Sequence, residues 1–214
     1  MTTTPHLTSG ILLDLDGTLV DSVHQHVVAW HEAFHAAGYT VPQWRIHAGI
    51  GMGSDRIVPW LLGRHVDDAD ALADDHTRRF LDTVDTLEPT EGARDLLDDL
   101  DRRGVSYIIS TSASTTEREA LFEVLGRDDL PYTDADAVDS SKPAPDLLLS
   151  SCVQAGIDPA RAIMVGDAPW DALAALRAGM SAVAVRCGGF GDDALTGAGA
   201  QRVVDAPRQL VGQL

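Results

Sequence analysis

Ile11-Leu12-Leu13-Asp14-Leu15-Asp16-Gly17-Thr18-Leu19-Val20-Asp21-Ser22 is the stretch from which the other residues take their meaning. An apolar run delivers two carboxylates, spaced i and i+2, followed by glycine, threonine and a helix start. In a strand, i and i+2 share a face, so both acids leave the sheet edge toward one point. Two neighbouring carboxylates repel. A metal or a basic side chain must therefore come from elsewhere in the chain.

Working outward, Asp21 and Ser22 offer an N-cap for a helix over residues 23–37. Val27, Trp30, Phe34 and Ala37 have helical spacing there, and Gly38 ends it. Helical patterns without a strand continue to Leu87, with helices expected over 54–62 and 67–84. Pro42, Pro59 and Gly49-Ile50-Gly51-Met52-Gly53 punctuate them, and Glu88-Pro89-Thr90-Glu91-Gly92 is the exit. Beyond it, strand and helix alternate: helix 93–103, strand 105–110, helix 115–125, a short strand over 135–138, a helix opened by Pro145, strand 162–165, a helix to Ala178, and strands 182–185 and 202–204. Such alternation means an α/β fold with a parallel sheet covered on both faces. The helical block looks inserted after the first strand.

Composition narrows the partners. The 214 residues fit one sizeable domain, or one domain with an insertion. Asp and Glu total 33 against 16 Lys and Arg, a formal charge of −17. That argues against nucleic acid and against anionic membrane surfaces. An anionic substrate would need local cations or a metal to overcome the overall field. Lys142 is the single lysine; every other cation of the 16 is arginine. Cys152 and Cys187 lack metal-binding spacing and read as reduced thiols. No signal peptide or membrane span fits the start, so a soluble, cytoplasmic protein is expected, with a monomer as the default.

In open parallel sheets, ligands bind beyond the carboxyl ends of the strands. Four chemically loaded segments fall there: Asp14 with Asp16, Thr111, Lys142, and Asp167 with Asp171. A hydroxyl, a lysine and four carboxylates suit phosphoryl chemistry on a hard cation, and Mg²⁺ is the expected one. Alone, each residue has a bland reading: a strand-end Asp caps the next helix, a lone Thr is a turn hydroxyl, a lone Lys is a surface charge. Jointly, at successive strand ends, those readings fail.

The ordered set DxDGTLVDS, the strand ending in Thr111, SKPAPD and VGDxxxD resembles the haloacid dehalogenase-like superfamily, in particular its phosphatases with a helical cap. The resemblance covers essentially the whole chain. It implies a Rossmann-like core (residues 1–17 and 88–214) with a helical-bundle cap domain inserted over 18–87. It also implies a Mg²⁺-dependent phosphatase acting on a small phosphorylated metabolite. By the same resemblance Asp14 is the nucleophile that becomes an aspartyl-phosphate, and Asp16 is the general acid and base. Asp14, the Asp16 carbonyl and Asp167 hold the metal, with Asp171 either a further ligand or an acid behind them. Thr111, or its neighbour Ser112, binds the phosphoryl group, and Lys142 neutralises it. True dehalogenases lack an acid where Asp16 stands, so carbon–halogen cleavage is not expected. Gly51 and Arg56 are the cap residues expected to meet substrate, and Arg45, His47, Ser54 and Asp55 are further specificity candidates. A sugar phosphomutase of the beta-phosphoglucomutase type uses the same core residues and is the alternative. A non-catalytic binding protein on the same scaffold is disfavoured by the intact core motifs.

Two motifs point elsewhere. His31-Glu32-Ala33-Phe34-His35 is a complete HExxH on an expected helix, the zinc-peptidase pattern. Its extended form needs a third histidine where Val41 stands. The glycine-rich 49–53 stretch follows no strand, so a dinucleotide fingerprint does not apply. His24 and His26 are expected on the helix surface, although a residue just after the Asp14–Asp16 loop could face substrate.

Overall fold

The computed structural model describes residues 7–133 and 140–214, and the strand expected over 135–138 lies outside them. Five parallel strands form one sheet: β1 (Thr8–Leu13), β2 (Tyr107–Ile109), β3 (Ile157–Gly166), β4 (Ser181–Val185) and β5 (Arg202–Val204), in the order β2-β1-β3-β4-β5. From β1 the chain adds β2 on one side and then crosses to add β3 on the other. The point where the order reverses is therefore the cleft between β1 and β3, where open α/β sheets bind ligands. Leu13 pairs with Val165, and the Asp14 N–H donates to the Val165 carbonyl at 2.9 Å.

Alternation along β1 builds the core. Ile11 and Leu13 face a cluster with Leu96, Leu97, Leu100 and Leu121, while Leu12 faces Leu148, Cys152 and Met164. Both faces are apolar, as a sheet covered on both sides requires. Helices α5 (Ala93–Arg103), α6 (Thr115–Leu125), α7 (Asp146–Ala155), α8 (Pro169–Ala178) and the short α9 (Asp192–Gly197) cover them.

Between β1 and α5 lie α1 (Val23–Ala36), α2 (Gln43–Gly49), α3 (Ser54–Leu62) and α4 (Ala69–Leu81). Val23, Val27, Trp30 and Phe34 on α1 pack with Ile46, Ile57 and Leu72 in a third cluster. Ala37, read as part of that stripe, is exposed. The sequence pattern missed α2 as a separate helix, and it missed α9. Residues on either side of the block clip together: Val20 pairs antiparallel with Pro89, and the Asp21 N–H donates to the Glu88 carbonyl at 2.9 Å. Hydrogen bonds also run from the block to the loops at the sheet's carboxyl edge. Trp170 Nε1 donates to the Ala48 carbonyl at 3.0 Å, the Gly53 N–H donates to Ser141 Oγ at 3.2 Å, and Thr77 donates to Glu117 at 2.9 Å. Among the described residues no helix is long and apolar enough to cross a membrane.

Candidate active site

Asp14 leaves β1 at the switch point and is almost completely buried. Lys142 Nζ donates to its Oδ1 at 2.5 Å. The same ammonium lies 2.8 Å from Asp171 Oδ1, an ion-pair contact off the line of a hydrogen bond. Asp167 follows β3, and Thr18 donates to its Oδ1 at 3.0 Å while sitting 3.4 Å from Asp14 Oδ2. Asp171 opens α8, where its Oδ2 accepts the Ala168 N–H at 3.1 Å. It thus caps a helix and faces Lys142 at once.

Asp14, Asp167 and Asp171 offer oxygens within 4.8 Å of one another, all buried. Burial pushes Asp14 up to about 7; Asp171 and Asp16 add to the rise, and Lys142 opposes it. Burial likewise holds Asp167 well above the ordinary carboxylate range, helped by Asp14 and Asp171. Burial lowers the affinity of Lys142 for its proton, but Asp14 and Asp171 outweigh it and the net shift is upward. One ammonium among three carboxylates leaves negative charge uncompensated. An oxygen-only donor set of this kind suits a hard divalent cation such as Mg²⁺. A Cβ on Gly188 would stand 1.8 Å from Asp167 Oδ2, so glycine at 188 leaves that oxygen its space. The glycine-rich turn after β4, Gly188-Gly189-Phe190-Gly191, therefore borders the site, as its resemblance to a family loop implies.

Asp16 points differently. Burial pushes its carboxyl up, but the charge and hydrogen bond of His26 and the hydroxyl of Ser22 outweigh this and hold it below its ordinary value. Ser22 Oγ donates to Asp16 Oδ1 at 2.7 Å, so Ser22 does not cap α1 with its side chain. His26 Nε2 lies 2.8 Å from the same oxygen.

His26, expected at the helix surface, is buried. It stacks on Phe80 with ring centroids 3.7 Å apart. Its Nδ1 meets His76 Nε2 at 3.0 Å, and His76 Nδ1 faces Glu117 Oε1 at 3.6 Å. Burial, then the His26 charge, holds His76 well below the ordinary imidazole value. Burial lowers His26 too, but Asp16 outweighs it and the net shift is upward. One tautomer set satisfies all four groups: His26 doubly protonated, donating to Asp16 and to His76, with His76 carrying its proton on Nδ1 toward Glu117. Neither His76 nor Glu117 stood out in the sequence, because His76 lies 50 positions from His26, and Glu117 lies 40 from Thr77.

A cavity of about 190 Å³ opens above these groups, between the sheet edge and α1–α4. Thr111 and Ser112 both line it. Thr111 Oγ1 accepts the Ala113 N–H at 3.1 Å, whereas Ser112 Oγ is buried without a partner. Gly51 and Ser54 are on its wall; Arg56 is not, being exposed and bound to Ser140 at 2.8 Å. His47 bonds the Gly188 carbonyl at 2.8 Å, and Asp55 accepts from Ser141 Oγ. Arg45 lies over the Trp60 ring on the outside.

The HExxH residues do not converge. His31 Nδ1 bonds the Val41 carbonyl at 3.2 Å, Glu32 pairs with Arg79 at 2.8 Å, and His35 is exposed. Among the described residues, the groups that could hold a metal are the aspartate trio and His26-His76-Glu117.

The family model of haloacid dehalogenase-like hydrolases matches residues 8–179. Over 212 residues the chain is 29% identical to N-acetylmuramic acid 6-phosphate phosphatase of Pseudomonas aeruginosa, covering 95% of this chain and 93% of that protein. It is 31% identical over 188 residues to fructose-1-phosphate phosphatase YqaB of Escherichia coli, covering 83% and 96%. The crystal structure of a hydrolase from Pseudomonas syringae superposes with a TM-score of 0.93 at 32% identity, covering 96% of this chain and 97% of that one.

Proposed function

This chain belongs to the haloacid dehalogenase-like hydrolase family and is a phosphatase, and we propose that it hydrolyses a small phosphomonoester with Mg²⁺ through an aspartyl-phosphate on Asp14. The observation that carries this reading is the convergence of Lys142, Asp167 and Asp171 on Asp14 at the β1–β3 switch point. Two relatives named for phosphorylated sugars support a sugar or polyol phosphate as substrate.

The steps follow from the residues. Asp14, oriented by Lys142 and Thr18, attacks phosphorus, and the bond from phosphorus to the leaving oxygen breaks. Asp16 hands a proton to that oxygen. The proton rests on His26, 2.8 Å from the Asp16 carboxylate, so the pair supplies it together. Deprotonated again, Asp16 takes a proton from water as the water attacks phosphorus, releasing phosphate and restoring Asp14. Lys142 offsets the charge of the transferring group, and Thr111 or Ser112 donates to its oxygens. Asp14, Asp167, Asp171 and the Asp16 carbonyl would hold Mg²⁺, which as a Lewis acid lowers the repulsion between attacking carboxylate and phosphate. We take residues 18–87 as a cap domain that pivots at the Val20–Pro89 clip and excludes water when closed.

The test is phosphate release across phosphomonoesters, with Mg²⁺ or EDTA, for wild type and Asp14→Asn. Release that needs Mg²⁺ and vanishes in the variant supports the reading. Release unchanged by EDTA or by the substitution overturns it.

A further inference from the structure

The cavity wall away from Asp14 is chemically lopsided. It presents Trp30, Met52, Thr77, Ser114 and His76, with one carboxylate, Glu117. Among the described residues lining the cavity there is no lysine or arginine. Lys142 lies beneath, committed to Asp14 and Asp171. Residues 134–139 read Asp-Ala-Asp-Ala-Val-Asp and could bring no basic side chain to it. His26 is committed to Asp16 at 2.8 Å, and His76 to His26 at 3.0 Å.

Glu117 cannot swing away. Ser114 Oγ and the Ser114 N–H donate to its Oε2 at 2.8 and 2.9 Å, a capping box at the start of α6. Thr77, from α4, donates to its Oε1 at 2.9 Å. The carboxylate is buried, with 5% of its surface exposed. An anion placed beside it would be desolvated next to a like charge, with no lysine or arginine among the described residues that line the cavity. Hydroxyls meet the opposite situation. Ser112 Oγ is buried, unpartnered and lines the same cavity, whose carboxylate and hydroxyls can accept from or donate to an alcohol.

We infer that the leaving group entering this pocket is hydroxylated and carries no second anion near the phosphoryl group, and that Glu117 determines specificity by rejecting esters that do. This rests on the phosphatase reading above and narrows its substrate class. It also separates hydrolysis from phosphomutase chemistry. A mutase must seat a sugar bisphosphate, whose second phosphate would meet Glu117 where a mutase needs a cation.

Matched ester pairs test this: 2-hydroxyethyl phosphate against phosphoglycolate, and glycerol 3-phosphate against 3-phosphoglycerate, each differing in a carboxylate. The expected kcat/KM is on the order of 100-fold higher for the neutral member of each pair. Glu117→Gln, which can still close the capping box, is expected to shrink that ratio about tenfold. Equal turnover of the acidic esters, or a ratio unmoved by Glu117→Gln, overturns the assignment. Dissociation constants of the same esters for the Asp14→Asn protein with Mg²⁺, by calorimetry, give the ratio without turnover. A wild type inert even toward aryl phosphates would sink the phosphatase reading, while that binding ratio would still decide the role of Glu117.

Discussion

Asp14 and Asp16 stand two positions apart, yet their surroundings push them in opposite directions. Asp14 is raised to about 7 by burial among acids, while Asp16 is held low by His26 and Ser22. These directions belong to the metal-free site and run opposite to the roles: a bound Mg²⁺ would favour the ionised form of Asp14, and His26, 2.8 Å from Asp16, would resupply the proton that Asp16 delivers. If Asp16 carries the proton to the leaving oxygen, its loss matters most where that oxygen is a poor leaving group. Asp16→Asn should lower kcat on an alkyl phosphate by about 10²- to 10⁴-fold, and on p-nitrophenyl phosphate far less. Equal losses on both substrates would remove Asp16 from that role. Asp14, Asp167 and Asp171 could be read from sequence because each lies at or a few residues beyond the end of β1 or β3, where topology forces convergence, and Lys142 because it is the single lysine. His26, His76 and Glu117 could not. Their association depends on α1, α4 and α6 meeting, and a histidine on an amphipathic helix gives no sign of which carboxylate it will find.

At the scale of elements, hydrophobic period and glycine punctuation carried most of the fold. α3, α5 and α6 occupy the expected residues, and α1 and α7 end within a residue of expectation. α2 and α9 span only seven and six residues, too few turns for a 3.6-residue period to emerge. β3 begins at Ile157, well before the apolar run at 162: Ile157 is buried and pairs with Thr8, and an irregularity separates it from the pairing that resumes at Ala162. The link between α2 and α3 depends on Gly51. Its φ of +97° is a conformation that a β-branched residue resists, and a Cβ there would stand 2.8 Å from Ala168 Cβ. Gly51→Val should therefore withdraw this link from the sheet edge, lowering kcat/KM about 10- to 100-fold, as expected for ~1–3 kcal/mol of backbone strain. Far-UV circular dichroism should stay unchanged. Wild-type kinetics in that variant would show that close approach of the link is not needed.

Across the whole molecule, the buried acids make stability depend on pH and on metal. Asp14 has a folded pKa of about 7 against an ordinary 3.8, and Asp167 shifts the same way. Between those values the folded chain holds more protons than the unfolded one, so stability falls as pH rises. This contribution is fully present below about pH 4 and is lost by about pH 7. Asp16 acts in the opposite sense, over a window below its ordinary value. The metal-free protein should therefore melt at progressively lower temperature from pH 5 to 7.5. Mg²⁺ at a hundredfold excess over its Kd should restore about 2.7 kcal/mol, or roughly 5–10 °C for a chain of this size. A melting temperature independent of both pH and Mg²⁺ would show that the aspartate trio carries no such burden. The strongly negative net charge pointed to this need for a cation, but not to its place, which is set by the crossover from β2 to β3.

The most direct measurement is the covalent state of Asp14 during turnover. Acid quenching of enzyme, Mg²⁺ and a rapidly hydrolysed aryl phosphate, followed by peptide mass analysis, should find one phosphoryl group on Asp14, and none in Asp14→Asn. Steady hydrolysis with Asp14 unmodified at every quench time, and persisting in Asp14→Asn, would contradict the account.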